Sequence, residues 1–314
     1  MTARRTTVIT SLLLMQALGG HVAQAQKLIE VPKVQRFRLA SKAVGDSFEI
    51  RVLMPPSIPG ETTRFPVLYM TDVHEGFLIG EDAMRLMMVG DVPRFIAVGI
   101  GYASASNILE GLLVRARDLT QVAATAEVGG SFPIANMVHP SVATGGAAKF
   151  LAFITDELMP VIDKRFPTDP KDRGYWGDSL GGLFGTWVLF TRPESFNRYI
   201  LGSSSFWWGK EDVMKVAENY LATHDDLPAT VFMGVGGLEE DPNFKMVTNQ
   251  LKLERMLRAK KLPGLSLTTR IFPDETHTTV AAMSLIRGLV AVYGTPSPEQ
   301  SLMGKYAAMM KSNQ

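Results

Sequence analysis

A mostly parallel α/β sheet with helices on both faces and an antiparallel hairpin at its start is the fold class the sequence predicts, and three observations predict it. Residues 34–40 and 47–54 alternate between apolar and polar side chains around the turn Ala43-Val44-Gly45-Asp46, as two half-buried hairpin strands do. Residues 65–70 (FPVLYM) and 94–100 (RFIAVGI) are continuous apolar runs, the pattern of strands buried on both faces of a parallel sheet. Beyond them, strand-like and helix-like segments alternate as far as residue 293, which is the rhythm of βαβ units.

In chain order, a helix over 81–89 joins the first two buried strands, and a long helix follows at 145–166. A short strand at 173–177, a helix at 180–190 and a strand at 198–202 come next. A helix near 211–221, a strand at 229–235, a helix at 243–260, a strand at 265–272 and a helix at 279–293 complete the series. The segment 102–144, with Gly129-Gly130, Pro133 and Pro140, breaks the rhythm and is too long for a passive connection, so it is expected to be a loop facing a substrate. Residues 26–294 read as one domain, without repeats or a second boundary, followed by a turn-rich and then weakly helical tail at 295–314.

The 314 residues carry 32 Lys+Arg against 31 Asp+Glu, a net charge of +1 that gives no general attraction to nucleic acid. With 46% hydrophobic residues the chain can build a large core, which excludes disordered and fibrous classes. The absence of cysteine removes disulfides, thiolate metal sites and a thiol nucleophile together. Five dispersed histidines offer no zinc-ligand set, and no cofactor is implied. At the N-terminus Arg4 and Arg5, an apolar run over 8–18 and Ala23-Gln24-Ala25 have the three regions of a secretory signal, with cleavage expected after Ala25. The run is shorter than the ~20 apolar residues a membrane span requires, so a periplasmic or secreted protein without a membrane anchor is expected.

Chemistry concentrates at residues 174–186, GYWGDSLGGLFGT. Gly177-Asp178-Ser179-Leu180-Gly181 falls between a predicted strand and a predicted helix, where a nucleophile elbow would hold Ser179 in a strained turn. Glycines at 177 and 181 let strand and helix approach, and the helix would start just behind the serine with its free N–H groups aimed at an oxyanion. A serine hydroxyl needs a histidine to take its proton and a carboxylate to orient that histidine. His277 stands after the last strand, where the chain order serine, acid, histidine puts the base. His139 and His224 read as surface residues. The acid belongs in Glu239-Glu240-Asp241, after the strand at 229–235; loop length favours Glu239, with Glu240 and then Asp241 as alternatives. The oxyanion donors are expected to be the N–H of Leu180 and a backbone N–H of Val73 or His74, after the strand at 65–70. Trp207 and Trp208 follow a strand's C-terminal end, the edge at which open α/β sheets bind ligands, and are candidates for a pocket wall or for a cap on the core.

These residues together resemble the putative-esterase family of α/β-hydrolases, which includes siderophore esterases, feruloyl esterases, esterase D and mycolyltransferases. The resemblance runs from about Val34 to Tyr293 and is carried by YMTDVHEGF (69–77), RARDLT (115–120), FLAFITDELMPVIDKRF with GYWGDSLGGLFG (150–185), SSSFWW (203–208) and FPDETH (272–277). It departs from the family in having Asp178 where histidine is frequent, Val73 where glycine is frequent and Ser204 where proline is frequent. The resemblance implies an α/β-hydrolase fold, no cofactor, and a small-molecule ester of hydroxy-acid, siderophore or hydroxycinnamate type as substrate. It makes Arg117, and after it Arg115, a candidate contact to an acidic ligand; His74, Trp207 and Trp208 are separate substrate-binding candidates from their positions after strands. A bare Arg117 would equally serve as an ion-pair partner of Asp118. The expected activity is serine ester hydrolysis. The alternatives are acyl transfer of the mycolyltransferase type and a non-catalytic siderophore- or glycan-binding protein on the same fold.

Overall fold

The computed structural model describes residues 34–56, 60–71, 78–124, 144–297 and 300–312. An eight-stranded sheet runs in the order β1-β2-β4-β3-β5-β6-β7-β8, with β1 (Gln35–Ala40), β2 (Ser47–Leu53), β3 (Phe65–Met70) and β4 (Ile96–Tyr102) in its first half. β5 (Thr168–Asp178), β6 (Arg198–Gly202), β7 (Ala229–Gly236) and β8 (Leu265–Phe272) form the second half. β1 pairs with β2 and β2 with β4 in antiparallel register, and every later pairing is parallel. Every residue of β4 is buried, as its unbroken apolar run requires, whereas the edge strands β1 and β8 alternate largely between half-buried and exposed positions.

Helices cover both faces. α1 (Leu78–Gly90) and α7 (Val280–Tyr293) close one core with Leu68, Trp176, Ile200 and Phe232 from the sheet. The opposite core is closed by α2 (Ile108–Leu119), α3 (147–165), α4 (Leu180–Thr191), α5 (Trp208–Thr223) and α6 (Met246–Lys260). α3 runs through Ala147–Ala152, a π-helical stretch Phe153–Leu158 and Met159–Arg165. Ten of the twelve residues of α4 are buried, because it lies on β5 and β6 and against α5.

Three features differ from the sequence reading or extend it. The segment 102–144 contains α2, capped by Asn107, whose Oδ1 accepts from the Glu110 N–H at 3.0 Å; residues 125–143 lie outside the described residues. Gly209, Lys210 and Glu211 at the start of α5 have left-handed backbone, so its regular right-handed part begins after Glu211, near the start the sequence suggests. At Gly209 a Cβ would come within 2.4 Å of Val122, so the close approach of the preceding segment requires glycine there. The tail folds back as α8 (Leu302–Ser312), which packs on α1. Lys305 of α8 pairs with Glu61, which also grips the buried Arg94 guanidinium at 2.6 and 2.5 Å. The expected leader at 1–25 lies outside the described residues.

Because β5 to β8 are parallel, their C-terminal ends share one edge of the sheet. The turns after them bring Ser179, the serines 203–205, Glu239 and the His277 loop to that edge, the place where open α/β sheets bind ligands.

Candidate active site

Ser179 sits between β5 and α4 with φ 59° and ψ −114°, a backbone conformation that costs a residue with a side chain of the order of 1–3 kcal/mol. The turn is sharp because the strand and helix almost touch: a Cβ on Gly177 would lie 2.5 Å from the Gly181 backbone. The turn is tied down on both sides. The Ser179 N–H donates to the Gly202 carbonyl at 2.9 Å, and the Arg115 guanidinium donates to the Asp178 carbonyl at 2.7 Å. α4 begins at Leu180, so the backbone N–H groups of its first turn lie next to the serine without intrahelical partners.

From Ser179 a continuous hydrogen-bonded chain runs inward. His277 Nε2 lies 2.9 Å from Ser179 Oγ, and His277 Nδ1 lies 2.5 Å from Glu239 Oε2. The Glu239 side chain is 3% exposed, while the His277 ring is 45% exposed, so the carboxylate is sealed and the imidazole faces the opening. The second Glu239 oxygen accepts from Ser203 Oγ at 2.6 Å and from the Gly236 N–H at 2.7 Å, so its orientation is fixed before any substrate arrives. Burial works to depress the His277 pKa. The hydrogen bond to Glu239 and the negative charges of Asp178 and Glu239 outweigh that effect and the opposing charge of Arg115, and the ring titrates above the ordinary imidazole value.

Of the three adjacent carboxylates, Glu239 is the one that meets His277. Glu240 instead takes the Thr248 N–H and hydroxyl in the first turn of α6, at 3.0 and 2.6 Å. Asp241 accepts the Asn243 and Phe244 N–H groups at 2.7 and 3.3 Å and thus organises its own turn. Arg117 is not at the serine: its guanidinium forks onto Asp118 at 2.7 and 2.8 Å and also reaches Asp46 at 3.0 Å. Two residues apart on α2, Arg115 and Arg117 point to different sides, and it is Arg115 that reaches the elbow. Trp208 is turned into the core at 2% exposure and donates its indole N–H to the Val122 carbonyl at 3.0 Å, which removes it as a pocket wall. Trp207 remains partly exposed, its ring 5.1 Å from that of Phe244. Val73 and His74 lie outside the described residues. The hydroxyls of Ser203 and Ser205 went unread: a run of three serines looks like a polar turn until the acid and the nucleophile are placed on either side of it.

A family model described as "Putative esterase" matches residues 41–264 of the chain. The chain belongs to this esterase family. The ferri-bacillibactin esterase BesA of Bacillus subtilis is 28% identical over 284 residues, 87% of this chain and 93% of its own length. The siderophore triacetylfusarinine C esterase of Aspergillus fumigatus is 29% identical over 299 residues, 84% of this chain and 94% of its own. Among solved structures, the BES protein from Bacillus cereus matches with a TM-score of 0.70 at 28% identity, over 84% of this chain and 97% of that one. The siderophore hydrolase EstB from Aspergillus nidulans matches with a TM-score of 0.68 at 26% identity, covering 84% and 96%. These are α/β-hydrolase relatives, and the chain is a carboxylic ester hydrolase. No described helix is long and apolar enough to cross a membrane, and the described residues contain no cluster of His, Asp and Glu able to hold a metal ion.

Proposed function

We propose that this esterase hydrolyses the hydroxy-acid ester bonds of a siderophore-like small molecule through an acyl-enzyme on Ser179. The observation that carries the reading is the unbroken chain from Ser179 Oγ through His277 to the buried Glu239, at 2.9 and 2.5 Å. The substrate class is supported by likeness to proteins named as ferri-bacillibactin and triacetylfusarinine C esterases.

In this reading Ser179 Oγ attacks the ester carbonyl while His277 Nε2 takes its proton, and Glu239 holds the imidazole with Nδ1–H facing the carboxylate. The oxyanion of the tetrahedral adduct is received by the Leu180 N–H and, from the loop after β3, by a backbone N–H of Val73. His277 gives the proton to the departing alcohol, and water then releases the acid by the same steps in reverse roles. Trp207, partly exposed and tilted at 60° to the Phe244 ring, supports an aromatic or acyl contact for the substrate. The two carboxylates on Arg117, and the burial of Arg115 against the Asp178 carbonyl, argue against either as the cation for an acidic substrate. We further assign residues 1–25 as a cleaved export signal, which gives a periplasmic or secreted enzyme; N-terminal sequencing of the protein from its native host tests this, with Gln26 as the expected first residue.

The function is tested with protein starting at Gln26 and its Ser179→Ala variant on p-nitrophenyl acyl esters, methyl ferulate and an iron-free catecholate trilactone. The expected result is turnover that depends on Ser179 and is fastest on the trilactone. Preference for methyl ferulate would overturn the substrate class, and equal turnover by the variant would overturn the nucleophile.

A further inference from the structure

Three consecutive serines close the turn after β6, and each side chain is used differently. Ser203 Oγ donates to Glu239 Oε1 at 2.6 Å. Ser204 Oγ lies against the start of α4, where a Cβ on Gly182 would come within 2.3 Å of it. Ser205 Oγ lies 3.2 Å from Ser179 Oγ, and the Ser205 N–H donates to the Ser179 carbonyl at 3.0 Å. Ser205 is 1% exposed, so its hydroxyl is held away from solvent and beside the nucleophile.

The direction of the Ser205 bond follows from counting protons. Ser179 has one hydroxyl hydrogen, and while His277 is neutral at Nε2 that hydrogen points to the ring. That leaves the Ser205 O–H as the donor across the 3.2 Å contact, into a Ser179 lone pair. We propose that Ser205 is a catalytic hydroxyl of this esterase, a fixed hydrogen-bond donor to the nucleophilic oxygen itself. The inference rests on Ser179 being the nucleophile.

Its effect falls on the two steps in which Oγ carries partial negative charge. In acylation the Oγ–H bond breaks toward His277 Nε2 as the Oγ–carbon bond forms, and the donor strengthens as charge builds on Oγ. In deacylation the water oxygen bonds the carbonyl carbon as its proton passes to His277 Nε2, then the carbon–Oγ bond breaks with its electron pair leaving on Oγ, and His277 gives that proton to Oγ. Ser205 stabilises the departing oxygen in the same way and keeps its own proton throughout. When His277 is protonated the pattern reverses without moving a heavy atom: Nε2–H donates to Oγ, and Ser179 donates to Ser205.

The test compares Ser205→Ala, Ser205→Thr and Ser205→Val, each checked for folding by thermal melting, using p-nitrophenyl butyrate hydrolysis and the rate of Ser179 labelling by a fluorophosphonate. Threonine and valine have nearly the same shape and differ in the hydroxyl. A charge-assisted hydrogen bond at the reacting oxygen corresponds to about 10- to 100-fold in rate. The expected result is that kcat and the labelling rate of the alanine and valine variants fall by that factor, with KM little changed, while threonine recovers most of the loss. Threonine and valine equally slow, or alanine as fast as wild type, would overturn the proposal. If the two larger side chains do not fold, the alanine variant decides: slow with a wild-type melt supports the role, and wild-type rates refute it. Absence of fluorophosphonate label on Ser179 in the wild type would instead refute the nucleophile, a separate outcome.

Discussion

Replacing Glu239 by glutamine changes one atom and is expected to disable the base without loosening the fold. Glu239 Oε1 accepts two hydrogen bonds, from Ser203 Oγ and the Gly236 N–H, at 2.6 and 2.7 Å. The glutamine oxygen takes that position, because the amide NH2 there would face two donors. The NH2 is thereby turned toward His277 Nδ1, 2.5 Å away in the native chain. Facing a donor, Nδ1 becomes an acceptor, the ring proton moves to Nε2, and no lone pair remains to take the Ser179 proton. The wrong tautomer costs about 10⁴-fold in kcat, or about 5 kcal/mol on the barrier. Stability should stay within about 1 kcal/mol of wild type, since both donors keep a partner. Glu239→Ala inverts the second part: it strands the buried Ser203 hydroxyl and Gly236 N–H, at a cost of about 1–3 kcal/mol each. The assay is kcat on a p-nitrophenyl ester together with urea unfolding of both variants. A glutamine variant within tenfold of the wild-type kcat, or an alanine variant as stable as wild type, would refute the reasoning.

Two further outcomes are expected. His277 must be neutral to act as base, and its pKa is raised, with burial opposing and the Glu239 hydrogen bond and the charges of Asp178 and Glu239 prevailing. The kcat/KM profile should therefore fall on the acid side with a midpoint above the ordinary histidine value of about 6.5. Asp178→Asn removes one raising charge and should move that midpoint to lower pH; an upward shift contradicts the assignment. Glu61→Gln leaves Arg94, whose side chain is 2% exposed, without its carboxylate and releases Lys305 of α8. Loss of one partner of a buried pair costs about 3–5 kcal/mol. The hydrogen bonds from Arg94 hold the Glu61 carboxyl well below the usual range, so this stability is fully present above the unfolded carboxyl value near 4.3 and is lost as pH falls toward the folded one. Urea midpoints of the two proteins at pH 7 and pH 3 check this; a difference below 1 kcal/mol at pH 7 counts against the clamp.

The elbow and the histidine were legible in the sequence because their requirements are local. A serine between two glycines after an apolar strand, and a histidine just past the last strand, can be recognised without knowing which strands are neighbours. Loop length already favoured Glu239, but setting aside Glu240 and Asp241 needed the fold, since all three sit in one turn and the path of the turn decides which carboxylate faces inward. The same holds for Arg115 and Arg117: before the segment is known to be helical, residues two apart cannot be assigned to opposite sides. α2 itself carried a readable start signal in Asn107 followed by Glu110, but the glycines and prolines further along the segment obscured it. The clamp of Glu61, Arg94 and Lys305 joins residues up to 244 positions apart, and no local pattern announces it.

The most direct measurement is intact-mass and peptide mass spectrometry of the protein quenched in acid during turnover of a slowly deacylated p-nitrophenyl ester. The expected result is one added acyl group per chain, located on Ser179, appearing in step with a burst of p-nitrophenol and absent from Ser179→Ala. Steady turnover with no burst and no adduct, persisting undiminished in Ser179→Ala, would contradict an acyl-enzyme on this serine.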